Sequence, residues 1–381
     1  MRPYALRDIH IDGFRGLRGL SLESLGLVNI LVGENNSGKT SVLEAVSILC
    51  QPLDPWEWLD MVRRRDFGSL DESRLQSLRW CFSQSGRHAD PDSLQEGHCR
   101  LSCSGEFTVH LSAHYAEIMG EPSPDELQRA MRLGRIRESQ PEETQWRGAQ
   151  LSHDVVVGAP DAAVPVPVKP LVVWEDMPIL SRFGHSRIRR REHALANQTL
   201  TPYSYQINSL QVRSQSRQAI APEHSDAIIN LVRNFDPDVL AINVASFRGV
   251  RPAISIVHKK LGAAPLSVFG DALRRAVLLA NTIYSLKDNG VLLIDELETG
   301  IHVSALKPVF AWLISTAREL GVQVIATTHS LEAVDGILEG APSPSDIVTY
   351  HLSQADSGTH VKRIPGELAK RLREERGLDV R

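Results

Sequence analysis

The sequence predicts an α/β fold in which three apolar runs end at one polar site. Val28–Val32 has the composition of a buried strand and leads into a Gly-rich segment followed by residues with helical spacing. Val291–Ile294 ends in two acids, and Val322–Ala326 ends in Thr-Thr-His-Ser. Because parallel strands deliver their carboxyl ends to one edge of a sheet, we expect these three polar ends to meet.

Composition limits the class of protein before any motif is considered. The chain has 381 residues, of which 42% are hydrophobic, so it can bury a large core and form more than one lobe. Its formal net charge of -4 means that any nucleic-acid contact must come from a local patch. Four scattered cysteines make no disulfide framework. With neither a signal-peptide core nor an apolar run of about 20 residues, we expect a cytoplasmic protein with no membrane contact.

The Gly-rich segment at residues 33–40, GENNSGKT, fits the GxxxxGK[ST] pattern of a phosphate loop. Glycines allow backbone N–H groups to turn toward phosphate oxygens, and the helix N-terminus adds a favourable dipole. Lys39 is expected to reach the β- and γ-phosphates of a nucleotide, and the Thr40 hydroxyl to bind Mg²⁺. A Gly-rich turn without function is the alternative, and the flanking strand and helix disfavour it. The predicted nucleotide-binding residues are Gly33, Asn35, Asn36, Ser37, Gly38, Lys39 and Thr40.

The two later strand ends supply candidate catalytic groups. Mg²⁺ held by Thr40 and phosphate needs a carboxylate, usually through water, and Asp295 suits that role. Glu296 suits the general base that positions the attacking water. His329 is expected to hydrogen-bond the γ-phosphate. The alternatives are a pair of solvated acids and a histidine that caps a turn.

The order of these motifs resembles a known family. A phosphate loop, Ser-x-x-Gly-Asp before a helix, LLIDELETGIH and ATTHS occur in that order in the ABC-type AAA ATPases of the overcoming-lysogenization-defect (OLD) class, relatives of SMC and RecF heads. The resemblance covers about residues 1–50 and 230–381. It implies an ABC-type head with a mixed sheet core and an antiparallel β lobe, interrupted by a partly helical insertion. We expect an N-terminal lobe at 1–115, the insertion at 116–225 and a C-terminal lobe at 226–381.

The resemblance also implies a head-to-head homodimer, or a higher even oligomer, that binds and hydrolyses ATP with Mg²⁺. Ser267 and Gly270, followed by Asp271, would contact the nucleotide of the partner subunit. Glu298 and His302 would lie near the dimer seam. Ala272 stands where the family usually has Gly, and Gln84 is the candidate for the glutamine that the family uses to contact the metal.

Residues 181–217 form a basic segment with seven arginines against one glutamate and with interleaved aromatics. Arginine favours phosphate contacts and aromatics can stack on bases, so this segment is a candidate surface for nucleic acid or a protein partner. The alternative is a solvated face whose arginines pair with acids elsewhere.

Three functions remain open at the level of sequence. The first is an ATPase that regulates a separate effector, a Toprim-like nuclease, in anti-phage defence. No intrinsic nuclease is expected, because only about 50 residues follow His329. The second is a RecF-like DNA-repair ATPase, and the third is the nucleotide-binding subunit of a transporter. DELETGIH and TTHS favour the first, whereas transporter subunits are shorter and carry a different loop.

Overall fold

The computed structural model describes residues 4–65, 74–83, 93–132, 145–175, 194–202, 222–245, 253–286, 289–377 and 379. Gln84 and all of the basic segment except residues 194–202 lie outside these ranges. Within them, no helix is long and apolar enough to cross a bilayer.

Strands and helices occur along the chain in runs of one type as well as singly. The strands are β1 Leu6–Asp12, β2 Leu20–Leu22, β3 Val28–Gly33, β4 Glu96–Gly105, β5 Thr108–Gly120, β6 Trp146–Gly158, β7 Val164–Pro167, β8 Leu171–Trp174, β9 Asn197–Leu200, β10 Val239–Ala245, β11 Ala253–His258, β12 Gly262–Pro265, β13 Val291–Ile294, β14 Gln323–Thr327, β15 Ile347–Ala355 and β16 Gly358–Pro365. The helices are α1 Lys39–Cys50, α2 Trp56–Arg65, α3 Arg74–Arg79, α4 Pro124–Arg132, α5 Pro222–Val232, α6 Asp271–Ser285, α7 Val303–Leu320, α8 Leu331–Gly340 and α9 Gly366–Arg376.

The central sheet is mixed and has the order β16-β15-β3-β14-β13-β9. All neighbours are parallel except β15 and β16, which form an antiparallel hairpin. Every residue of β3, β13 and β14 is buried, as expected for parallel strands covered on both faces. Their register aligns Ile294 with Ala326 and Ala326 with Ile30. The strand ends that carry the sequence motifs therefore lie side by side.

A second sheet is antiparallel and has the order β2-β1-β4-β5-β6-β7, with β8 also paired to β6. Alternate residues of its strands are buried, and they form one hydrophobic cluster with side chains of α1, α2 and α3. The predicted division at residue 115 falls inside β5, and β6 to β8 extend the same sheet through the predicted insertion.

The α/β prediction with a mixed core sheet and an antiparallel lobe is confirmed. The run KPLVVW at 169–174 predicts a strand, and PGELAKRLREERGLDV at 365–380 predicts a short amphipathic helix. Both are present, as β8 and α9. Residues 120–168 are polar and rich in Pro, which predicts a helical segment followed by loops. The helix is present as α4, but the prediction is wrong for β6, a strand of 13 residues. Its buried positions alternate over 151–157, and the Pro-rich and acidic flanks hid that period.

Candidate functional site

The loop between β3 and α1 requires glycine at two positions. Gly33 and Gly38 have φ values of 140° and 95°, which side chains rarely tolerate. A Cβ on Gly33 would also overlap the Leu352 carbonyl oxygen, and one on Gly38 would overlap the Leu17 side chain. The loop can therefore bring its backbone close to a ligand and turn directly into the helix.

Lys39 is buried against this loop. Its Nζ donates to the carbonyl oxygens of Gly33 and Glu34, both at 2.8 Å. Burial lowers the pKa of Lys39, and the negative charges of Asp295, Glu296 and Glu298 oppose that shift. The lysine is therefore a buried cation held against the loop backbone, close enough to the acids of the neighbouring strand end for their charges to act on its pKa.

Thr40 and Asp295 are 255 positions apart in sequence and in direct contact. The Thr40 hydroxyl donates to Asp295 Oδ1 at 3.0 Å, and the Thr327 hydroxyl donates to the same oxygen at 2.7 Å. Burial raises the pKa of Asp295, while the hydrogen bonds from Thr327 and Thr40 oppose that shift. A hydroxyl beside a carboxylate at the mouth of a phosphate loop is the oxygen donor set that suits Mg²⁺.

Glu296 has φ 49°, a left-handed conformation that is uncommon for a residue with a side chain. Its N–H donates to Thr327 Oγ1 at 2.8 Å, and its carbonyl accepts from Arg275 Nη2 at 2.6 Å. Thr299 Oγ1 donates to its carboxylate at 2.9 Å. These contacts hold the backbone in a conformation that alone would cost on the order of 1–3 kcal/mol, as is common at functional sites.

The turns after β13 and β14 are tied together. The His329 N–H donates to Glu298 Oε1 at 3.0 Å. Glu298, expected at a dimer seam, therefore already has a partner within the chain. His302 caps α7, because its ring accepts from the Ser304 N–H.

A cavity of about 640 Å³ opens over the phosphate loop, a volume in the range of small-molecule sites. Three cationic side chains line it, namely Arg15, Lys39 and Arg65. The two arginines also pair with the buried carboxylate of Glu44, at 2.6 Å and 3.2 Å. Burial raises the pKa of Glu44, and both arginines oppose that shift. The wall therefore favours an anionic ligand. The full lining is Arg15, Gly16, Asn35, Asn36, Gly38, Lys39, Thr40, Ser41, Arg65, His329 and Gln354.

Not all predicted site residues lie at this cavity. Asp295 and Glu296 do not line it, although Asp295 accepts a hydrogen bond from Thr40, which does. Ser267, in the turn Leu266–Val268, and Gly270 and Asp271, at the start of α6, are solvent-exposed and do not line it. A Cβ on Gly270 would meet no atom within 4 Å, so this loop faces open space in the single chain.

Sequence reasoning missed several residues of the site. Thr327 closes β14 and bridges Asp295 to the Glu296 amide, and its position at a predicted strand end was a usable signal. Gln354 lies at the end of β15, the other parallel neighbour of β3. Arg65 and Arg275 carry no local pattern, because only the tertiary packing of α2 and α6 brings them to the site.

Two family models match the chain. Residues 160–335 match "AAA domain, putative AbiEii toxin, Type IV TA system", and residues 4–76 match "Protein of unknown function (DUF2813)". The first match includes Asp295, Glu296 and His329, and this part of the chain is an AAA-type ATPase domain.

Two relatives are matched over most of their own length. The ATP/GTP phosphatase of Helicobacter pylori is 20% identical over 348 residues, which are 87% of this chain and 86% of that protein. Uncharacterized protein MJECL11 of Methanocaldococcus jannaschii is 31% identical over 113 residues, which are 29% of this chain and 98% of that protein. The chain belongs to the same family as MJECL11.

Other similarities are short or structural. MJECL10 of the same archaeon is 51% identical over 43 residues, 11% of this chain and 20% of that protein. The DNA replication and repair protein RecF of Teredinibacter turnerae is 48% identical over 44 residues, 12% of each protein. Among solved structures, the SMC head bound to the C-winged helix domain of ScpA aligns with a TM-score of 0.49 and 11% identity, covering 97% of this chain and 100% of that chain.

Replacing Thr327 by Val tests the bridge between Asp295 and Glu296. The Glu296 N–H and the Asp295 carboxylate both lose a partner, so the free energy of unfolding should fall by about 1–3 kcal/mol in urea denaturation. The control is Thr349→Val, since the Thr349 hydroxyl is buried and makes no hydrogen bond with the described residues. An equal loss in both variants would contradict the assigned role of Thr327.

Proposed function

We propose that this chain binds ATP with Mg²⁺ in the cavity over the phosphate loop. The 3.0 Å contact between the Thr40 hydroxyl and Asp295 carries the proposal, since a hydroxyl beside a carboxylate, next to the buried Lys39, is a pair of oxygen donors that suits Mg²⁺. The loop N–H groups and the start of α1 would hold the phosphates, with Lys39 supplying the charge. Bound Mg²⁺ would neutralise part of the phosphate charge.

Hydrolysis of the bound nucleotide is the second part of the proposal. Glu296 is the candidate base, because the Thr327 and Arg275 contacts fix its backbone and Thr299 holds its carboxylate. His329 would hydrogen-bond the terminal phosphate, a role supported by its position in the cavity lining and by the hydrogen bond from its amide to Glu298.

Two substitutions separate binding from hydrolysis. Lys39→Ala should abolish ATP binding in calorimetry, because it removes the buried cation of the loop. Glu296→Gln should keep ATP binding and lower the hydrolysis rate by about 10²–10⁴-fold, the contribution of a well-placed general base. The matched control is Glu339→Gln, an exposed acid that pairs with Lys307 on the surface. Hydrolysis at the unchanged rate in Glu296→Gln would show that another group acts as base.

We further propose that two copies close head to head around the nucleotide. The loop with Ser267 and Gly270 is exposed and does not reach its own cavity, which supports a role on a second copy. In a two-fold dimer each such loop would cover the cavity of the partner, so two composite sites form.

A mixing experiment distinguishes composite sites from independent ones. Lys39→Ala and Ser267→Arg should each be inactive alone, the second because its arginine blocks the partner's cavity. A mixed dimer retains one intact site, so an equimolar mixture should recover up to about a quarter of the wild-type ATPase rate. The control is a mixture of Lys39→Ala with Glu296→Gln, both on the phosphate side, which should stay inactive. No recovery in the first mixture would contradict the head-to-head arrangement.

The biological role that we propose is control of a separate effector, a Toprim-like nuclease, in anti-phage defence. The support is the order of motifs along the chain, which resembles that of the OLD class. ATP-dependent closure of two heads would provide the conformational change that such a regulator needs.

Co-expression with the products of neighbouring genes tests this role. We expect a nuclease to co-purify with the chain, to a different extent with and without ATP, and to be retained most by Glu296→Gln. The absence of any nuclease in both conditions would contradict the effector hypothesis. ATP-independent binding of gapped duplex DNA by the chain alone would instead favour a RecF-like repair ATPase, an alternative that the short RecF similarity supports.

A further inference from the structure

Gln354 connects the candidate site to the C-terminal hairpin formed by β15 and β16. It lies at the cavity that contains Lys39. Its Nε2 donates to the carbonyl oxygen of Ser37 in the phosphate loop at 3.2 Å. Its Oε1 accepts from the Thr359 hydroxyl, also at 3.2 Å. One side chain therefore joins the phosphate loop to the hairpin.

These contacts hold the Gln354 amide in one orientation. The Ser37 carbonyl can only accept, so it must face the amide nitrogen. Thr359 Oγ1 accepts the Arg18 N–H at 3.3 Å, and the Arg18 carbonyl accepts the Thr359 N–H at 2.9 Å. The Thr359 hydroxyl thus has its own hydrogen available for Gln354 Oε1. A flip of the amide is disfavoured, because it would place oxygen against oxygen at Ser37.

The hairpin itself is held by the segment that follows β1. Gly358 has a φ value of 135°, and a Cβ there would come within 2.9 Å of the Arg18 carbonyl oxygen. A Cβ on Gly38 would overlap the Leu17 side chain and lie 3.5 Å from Gln354 Nε2. The hairpin and the segment after β1 therefore approach the same point of the phosphate loop, so Gln354 donates from a fixed position.

The contact with Ser37 also sets the direction of the next backbone N–H. The C=O and N–H of a planar trans peptide group point in opposite directions. Because Gln354 binds the Ser37 carbonyl, the Gly38 N–H points away from Gln354. Gly38 lines the cavity, and within the described ranges of the chain its N–H donates to no acceptor. That N–H is therefore available to an anionic ligand.

We infer that Gln354 is a positioning residue that raises the affinity of the site for phosphate groups. This inference rests on the proposed ATP binding. Gln354 acts through the peptide group between Ser37 and Gly38, so the phosphate loop is ordered before the ligand arrives and binding does not bear that cost. The effect should be the same for every ligand that carries the phosphates, whether or not it has a nucleoside.

Binding measurements with two ligands test the inference. Dissociation constants for ATP and inorganic tripolyphosphate, each with Mg²⁺, are measured by calorimetry for the wild type, Gln354→Met and Lys39→Ala. Methionine has a similar length and makes neither hydrogen bond, so Gln354→Met should weaken both ligands by the same factor, about 2- to 10-fold. The matched control is Gln150→Met, which removes a hydrogen bond to Ser152 in the antiparallel sheet and should bind both ligands as the wild type does.

Two further measurements separate positioning of the loop from a general effect on the fold. In steady-state hydrolysis, Gln354→Met should raise KM for ATP and keep kcat, because the lost interaction contributes equally to the ground state and the transition state. Thr359→Val removes the hydroxyl that holds the amide and should shift KM in the same direction. Thr359→Ser keeps that hydroxyl and should restore the wild-type KM.

An unchanged affinity for both ligands in Gln354→Met would overturn the inference. A loss confined to ATP would overturn it as well, because Gln354 would then act on the nucleoside. In both cases ATP binding by the wild type that is lost in Lys39→Ala would leave the proposed function intact. If the wild type bound neither ligand, the proposed function would fail and the inference with it.

Discussion

The site depends on one buried carboxylate, Asp295, whose burial must be offset by hydrogen bonds. Removing an ionised carboxylate from water is costly, and burial raises the pKa of this one. Two hydroxyls oppose the shift, one from the phosphate loop and one from the neighbouring strand end, Thr40 and Thr327. The parallel register of β3, β14 and β13 brings both hydroxyls to the acid. The register of the sheet therefore supplies the hydrogen bonds that offset the burial of Asp295, and it assembles the polar groups of the site at the same time.

The charges around the cavity fall into two groups. Arg15, Lys39 and Arg65 line it, whereas Asp295, Glu296 and Glu298 lie at the adjacent strand end and act on the pKa of Lys39. A triphosphate placed between them would be attracted by the first group and repelled by the second. A divalent cation beside Thr40 and Asp295 would remove that repulsion, which is the physical reason to expect nucleotide and metal to bind together.

Local patterns predicted the core strands and the phosphate loop, because a fully buried parallel strand and a glycine-dependent turn both require particular residues in the sequence. The same reasoning failed for β6, whose alternation is flanked by Pro-rich and acidic stretches, and it could not place Arg65, Arg275 or Gln354. Those three reach the site through the packing of α2, α6 and the C-terminal hairpin. Contacts across a fold depend on distances that no short pattern encodes, so only the structure could supply them.

The exposed loop at residues 267–270 bears on the proposed head-to-head dimer. Gly270 caps α6 without a side-chain hydrogen bond, and both Ser267 and Gly270 face solvent. Such a helix N-terminus favours an anion, yet the cavity over the phosphate loop of the same chain is lined by other elements. A second copy related by a two-fold axis could resolve this separation, because it would bring each helix terminus to the open side of the partner's cavity. A nucleotide bound to a single chain would then leave the helix terminus at residues 267–270 facing water. Closure of the dimer would depend on attraction between this terminus and the charge of the terminal phosphate rather than on apolar contact.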